Sequence, residues 1–352
     1  MIRPATRVLL SLALLAALAA CSATQTPGPG RAASSAEPAT GLSAEVTRLL
    51  ARTNSLSATA DDESAAAGGG LATANGLPLR AQVAAVPFHA QTEHHCGPAA
   101  LAMVLGWSGV PAEPEDLASQ VVTPGREGTL AHDLVAAARR ADRLAVPIQG
   151  VEPLLAELAA GHPVLVLQNL ALDWYAQWHY AVAIGYDLEE GTVTLHSGEE
   201  ANRVMPLMTF ARTWERADSW GLAVLPADQL PVMVDESTVL EAAVGLEQAG
   251  QYDSAVAAYG AALERWPDSF PALIGLGNAR LAAGHLARAE AAFRTAVSFH
   301  PDQAAAWNNL AHVLAEQGEF GEALAAAKRA VDLGGTGATV YQATLDEIQQ
   351  AI

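Results

Sequence analysis

The apolar run Cys96-Gly97-Pro98-Ala99-Ala100-Leu101-Ala102-Met103-Val104-Leu105 starts directly after the polar stretch Gln91-Thr92-Glu93-His94-His95. Leu101, Val104, Leu105 and Ser108 mark one face at i, i+3, i+4 and i+7, which predicts a helix from Cys96 to about Trp107. Pro98 falls in its first turn, where the missing N–H costs nothing. Helical patterns follow over Glu113 to Val121, Leu130 to Ala141 (with Gly128-Thr129 as its cap) and Glu152 to Ala160, the last stopped by Gly161. Pro163 to Gln168 reads as a buried strand, and Trp174 to Trp178 as an aromatic loop. His179 to Tyr186 and Thr192 to Ser197 are strands joined by Asp187 to Gly191, a hairpin loop in which Asp187 serves the turn. Helices first and an antiparallel sheet after predict an α+β domain over about 82–230.

The hairpin places candidate chemistry. If Tyr186 faces Thr192, opposed residues have numbers summing to about 378, and their side chains share a face. His179 then faces Glu199, Ser197 lies one diagonal step away, and His196 points to the other face. A one-residue slip would change these assignments.

Residues 235–352 carry a period of 34. Gly250, Gly284 and Gly318 recur at that spacing, as do Ala255, Ala289 and Ala323, and Ala262, Ala296 and Ala330. Tyr259 and Phe293 match, and Pro267 and Pro301 match. Small residues let two helices approach, Gly makes the turn and Pro ends the second helix. The pattern resembles the tetratricopeptide repeat, in three copies over about 236–269, 270–303 and 304–337. The resemblance implies an all-α superhelix with a concave face that binds a partner protein. Asn308 and Asn309, on the first helix of the third copy, have the chemistry to reach a bound peptide's backbone.

The N-terminus reads as an address. Two Arg precede the apolar stretch Val8 to Ala20, and Leu18-Ala19-Ala20-Cys21 follows. This resembles the bacterial lipoprotein signal, which implies cleavage after residue 20 and acylation of Cys21. Ser22 leans the address towards the outer membrane, facing the periplasm. Residues 21–81 are rich in Ala, Ser, Thr, Gly and Pro and are expected to form a flexible tether, with a short helix over Leu42 to Arg52. A net charge of −19 argues against nucleic acid as partner.

The remaining cysteine, Cys96, is the candidate nucleophile. The unpaired N–H groups and dipole at a helix N-terminus stabilise negative charge, and a thiolate is the reactive form of Cys. A buried structural thiol is the alternative. His89, His94, His95 and Cys96 match no common zinc spacing, so neither metal nor cofactor is expected. The other histidines, His132, His162 and His196, are expected to be structural or exposed. Trp174, Tyr175 and Trp178 either line a substrate groove or simply pack.

Gln91, then Cys96-Gly97-Pro98-Ala99 opening a helix, then His179-Tyr180-Ala181-Val182-Ala183-Ile184-Gly185-Tyr186-Asp187, resembles the bacteriocin-leader-processing peptidases over about 83–225. These are papain-like cysteine peptidases. The resemblance implies Cys96 as nucleophile, His179 as general base and Gln91 as an oxyanion-hole donor beside the Cys96 backbone N–H. Where that family has Asp-Pro after the His, this chain has Ser197-Gly198, leaving Ser197 or Glu199 to orient His179. No exporter follows. The sequence therefore points to a lipid-anchored periplasmic thiol peptidase acting on a peptide or protein substrate, with Trp178 near the peptide and the repeats recruiting substrate or partner. A catalytically silent binding module, or amide or thioester chemistry other than proteolysis, remain alternatives.

Overall fold

The computed structural model describes residues 41–59, 76–91, 95–122, 128–171 and 174–352. Cys21 and His94, and the expected signal segment, lie outside these residues. The described chain falls into two compact units, one of Thr40–Pro267 and one containing Asp268–Ile352.

The first unit is built on a seven-stranded antiparallel sheet. Its strands are β1 (Arg80–Gln82), β2 (Arg143–Ile148), β3 (Val164–Asn169), β4 (Trp178–Asp187), β5 (Thr192–Ser197), β6 (Glu200–Pro206) and β7 (Gly221–Pro226). The order is β2-β7-β3-β4-β5-β6, with β1 pairing the far end of β4. Every pairing is antiparallel. Most of β3, β4 and β7 is buried, as their nearly unbroken apolar runs require.

The helices of this unit are α1 (Leu42–Thr59), α2 (Cys96–Trp107), α3 (Pro114–Val121), α4 (Ala131–Arg140), α5 (Val151–Ala159), α6 (Leu207–Glu215), α7 (Glu236–Gln248) and α8 (Tyr252–Arg265). Helix α2 packs on β3 and β4, α5 on β1, β3 and β4, and α6 on β3, β5 and β6. The spacing predicted one apolar face for α2, but Gly97 to Leu105 are all buried. With no charged residue between positions 96 and 107, nothing ties any face of the helix to water.

Two expectations need correcting. The tether does not include α1, whose Val46, Leu49 and Thr53 are buried and which packs on α5 and α6. Glu45 Oε1 also accepts the Glu152 N–H at 2.9 Å, satisfying an otherwise unpaired donor in the first turn of α5. Gly128-Thr129 does not cap α4, since Leu130 holds the N-cap without a side-chain bond. Thr129 lies instead against the start of α2: a Cβ added at Gly97 would stand 2.6 Å from the Thr129 Cβ.

The β4–β5 register carries a bulge. Tyr186 faces Val193, one residue off the expected pairing, and the ladder shifts between Ala183 and Gly185. Beyond the shift, Ala183 faces Leu195 and Val182 faces His196, which restores the sum of 378 near the open end. Asp187 closes the hairpin as expected, its Oδ1 accepting the Glu189 and Glu190 N–H groups at 3.0 Å each.

Helices α7 and α8 form the first 34-residue hairpin and pack within this unit. Asp235 caps α7 through the Thr238 N–H at 2.8 Å. Helix α7 lies on β2 and α4, with the Arg139 guanidinium against Gly245. Glu157, fully buried in α5, accepts the Val232 N–H at 2.6 Å and bonds His162 Nδ1 at 2.8 Å. That carboxylate holds the segment entering α7.

The second unit contains α9 (Phe270–Ala282), α10 (Leu286–Phe299), α11 (Ala304–Gln317), α12 (Phe320–Leu333) and α13 (Ala338–Ala351). Ala289, Phe293 and Ala296, and Ala323, Ala327 and Ala330, are fully buried at repeat-equivalent positions. Gly250, Gly284 and Gly318 adopt φ of +79°, +80° and +83°, so the turn inside each hairpin uses one left-handed glycine.

Candidate active site

Cys96 is the first residue of α2 and is partly buried. It is positioned by close packing: Gly97 has no Cβ because Thr129 fills that space, and Tyr180 Oη donates to the Thr129 carbonyl at 3.2 Å. Burial raises the Tyr180 phenol above its ordinary range, and Cys96 and Asp133 add to that in turn.

His179 is the second residue of β4, facing Gln168 of β3. Its Nε2 lies 2.9 Å from Ser197 Oγ, and Ser197 is buried. Of the two expected orienting groups, Ser197 makes the contact, while Glu199 is exposed. Nε2 is engaged with Ser197, and among the described residues Nδ1 makes no hydrogen bond. In the tautomer with the proton on Nε2, Nε2–H donates to Ser197 Oγ. Burial pushes His179 below its ordinary pKa, and the nearby Arg203 guanidinium pushes it further down. The uncharged ring is therefore favoured.

Gln91 is buried and stitches the site together. Its Nε2 donates to the Tyr180 carbonyl at 3.0 Å and its Oε1 accepts the Gly198 N–H at 2.9 Å. Its own N–H donates to the Gly198 carbonyl at 3.0 Å. One carboxamide N–H is thus committed to the fold. Gly198, at φ +63°, makes the β5–β6 turn that brings these groups together.

His196 lies on the other face of β5. It is buried, accepts the Asn202 N–H at Nδ1 (3.1 Å) and faces the Val86 carbonyl through Nε2 (3.3 Å). His162 is tied to Glu157, and His95 takes the N-cap of α2 without a side-chain cap bond. Among the described residues no group of acidic, His and Cys side chains is arranged to hold a metal. Trp178 is exposed.

Asn308 and Asn309 are placed differently from the expectation. Both are buried; Asn309 Nδ2 donates to Asn278 Oδ1 at 3.2 Å, while Asn308 Oδ1 is buried without a partner among the described residues. Asn309 is thus engaged with the preceding helix pair, while Asn308 keeps an unpartnered buried oxygen. Tyr180, Thr129 and Arg203 were not anticipated. Tyr180 could have been found from strand alternation, but Thr129 and Arg203 reach the site only through tertiary packing.

Residues 83–221 match the model of the Peptidase_C39 like family, and residues 246–308 and 292–325 match two tetratricopeptide-repeat models. The chain thus carries an α+β domain of the C39-like peptidase kind, followed by a run of helices of the tetratricopeptide kind. A C39-like peptidase structure from Bacillus anthracis aligns at 20% identity and TM-score 0.36, covering 42% of this chain and 97% of that one. The type III secretion chaperone SycD of Yersinia enterocolitica, in complex with a peptide of the translocator YopD, aligns at 20% identity and TM-score 0.31, covering 33% and 92%. A repeat domain of yeast Sti1, in a complex with Hsp70, aligns at 16% identity and TM-score 0.32, covering 33% and 98%. No curated protein matches the chain.

Proposed function

We propose that the chain is a cysteine peptidase of the cell envelope. Cys96 attacks the peptide carbonyl, His179 Nδ1 takes the thiol proton and returns it to the leaving amine, and Ser197 holds the ring. The Cys96 backbone N–H and the second Gln91 N–H stabilise the oxyanion, each about 2.7–4 kcal/mol where such donors have been removed elsewhere. Water then hydrolyses the thioester, with His179 acting as base again. The observation that carries the reading is the 2.9 Å His179–Ser197 contact, in the family-matched domain whose Cys96 opens α2. Acylated Cys21 anchors the chain at the outer membrane, facing the periplasm, and the repeats recruit a protein partner or substrate.

The test is peptide turnover by the mature chain and by Cys96→Ala, with the pH dependence of iodoacetamide alkylation of Cys96 measured with and without His179→Ala. Turnover that survives Cys96→Ala, or alkylation indifferent to His179, refutes the peptidase. Membrane fractionation of Cys21→Ala tests the anchor: release from the membrane is expected.

One observation favours a second reading. Ser197 stands where a carboxylate would stabilise imidazolium, and His179 is held below its ordinary pKa. A silent binding module would share both features, and would show a slowly alkylated Cys96.

A further inference from the structure

Four large apolar side chains crowd one short stretch beside His179. Trp174 is 82% exposed, Tyr175 73%, Trp178 57% and Leu170 41%. Exposed apolar patches of this kind mark interaction surfaces. The stretch is held at its base. Leu170 N–H donates to the Gln177 carbonyl at 2.9 Å, and the fully buried Asn169 uses Oδ1 to accept both the Ala171 and Gln177 N–H groups. Arg216 fixes the Asn169 carbonyl from α6 at 2.9 Å. The base of the stretch is therefore ordered in the fold, and less ordering remains to be met there on binding.

Strand geometry says where the patch leads. Side chains alternate along β4, so Trp178 and Tyr180 share a face. Tyr180 is bonded to Thr129, which packs against Gly97, the residue directly after Cys96. Trp178 is one strand step outward from it, at the open end of β4, and Trp174 and Tyr175 follow. We propose that Leu170, Trp174, Tyr175 and Trp178 form a subsite that takes a large apolar side chain of the peptide substrate, close to the bond that Cys96 attacks. This rests on the peptidase reading. Aromatic faces can also take a cation, and a preference for Lys over Phe and Leu in the series below would overturn the apolar assignment.

The test is a peptide series, acetylated and amidated, in which Phe, Leu, Ala, Glu or Lys is scanned through an otherwise Ala-rich sequence. The mature full-length chain is assayed for kcat/KM, and its Cys96→Ala form for binding by tryptophan fluorescence. At one position Phe and Leu are expected to beat Ala at least tenfold. Trp174→Ala with Trp178→Ala should collapse that ratio below about threefold, and the Phe replacements at both positions should keep it. The ratio isolates the subsite from any general loss of folded enzyme. A chain that binds with this preference yet cleaves nothing supports the subsite and sinks the peptidase. Cleavage with no apolar preference, or a preference untouched by both Ala replacements, overturns the subsite and leaves the peptidase standing. Transfer of the loop tryptophans into phosphatidylcholine vesicles, with no peptide effect, also overturns it, in favour of a lipid surface.

Discussion

Ser197→Asp would test how the site handles charge. Ser197 Oγ sits 2.9 Å from His179 Nε2, so an aspartate there brings a carboxylate within about 4–6 Å of the ring centre, the distance at which an opposite charge acts strongly. Such a charge favours imidazolium by roughly 1.4–4 kcal/mol, a tenfold to thousandfold rise in proton affinity. The lower end applies here. Ser197 is 4% exposed, so the new carboxylate gives up solvation, though the neighbouring Arg203 offsets part of that loss. The expected outcome is about tenfold faster alkylation of Cys96 near pH 6, with the acid limb of the rate profile moved to lower pH because the imidazolium holds a thiolate beside it. NMR titration of His179 in Cys96→Ala, with and without Ser197→Asp, measures the ring directly. If the alkylation profiles superpose while near-UV circular dichroism reports a native fold, Ser197 is not electrostatically coupled to the reacting pair.

Three further outcomes are expected. His179 and His196 are both held below their ordinary pKa, so the folded chain refuses protons that the unfolded chain accepts. Their contribution is full above about pH 6.5 and is lost as pH falls below it, at up to about 1.4 kcal/mol per pH unit for each ring. Urea titrations at pH 7.5 and 5.5 measure this, and His196→Gln should reduce the difference to the part that His179 contributes. Gly97→Ala forces a Cβ into Thr129 and should cost about 1–3 kcal/mol; Thr129→Gly should rescue it and Thr129→Ala should not, because the contact is with the Thr129 Cβ itself. Leu49→Ala should cost about 2–5 kcal/mol in denaturant unfolding if α1 belongs to the core, and almost nothing if it is tether.

What was legible in the chain follows physical lines. Helix α2, strands β3 to β5 and the repeat turns announce themselves by spacing, since their apolar or glycine positions recur at 3.6, 2 or 34. The contact between His179 and Ser197 came from alternation and a register sum, and it survives because the bulge near Ile184 falls inside the pairing. Strand β6 could not be read: Glu200-Ala201-Asn202-Arg203 shows no apolar alternation, and almost all of the strand is exposed. Strands β2 and β7 pair with each other across most of a domain's length of chain, which no local window records. A short helix at Leu42 was legible, but its place in the core was not, because Val46 and Leu49 are thin cover in an Ala- and Ser-rich neighbourhood, and only the groove over α5 and α6 makes them core. The destination of Gln91, bound to Tyr180 and Gly198, depends on chain 89 and 107 residues away.

The first helical hairpin has two allegiances. By period it is a repeat, yet its helix α7 rests on β2 and α4, Ser254 of α8 and its N-cap Gln251 bond Asp142 and the Arg140 carbonyl, and Glu157 fastens the segment of chain that leads into it. Were repeat arrays traded between such proteins, a break at about 230 would tear through these bonds and leave the Glu157 carboxylate without its Val232 N–H. A break near 267 would leave them whole. The working seam for recombination, and for anyone grafting a new array onto this domain, therefore lies one full hairpin later than the change of sequence pattern suggests.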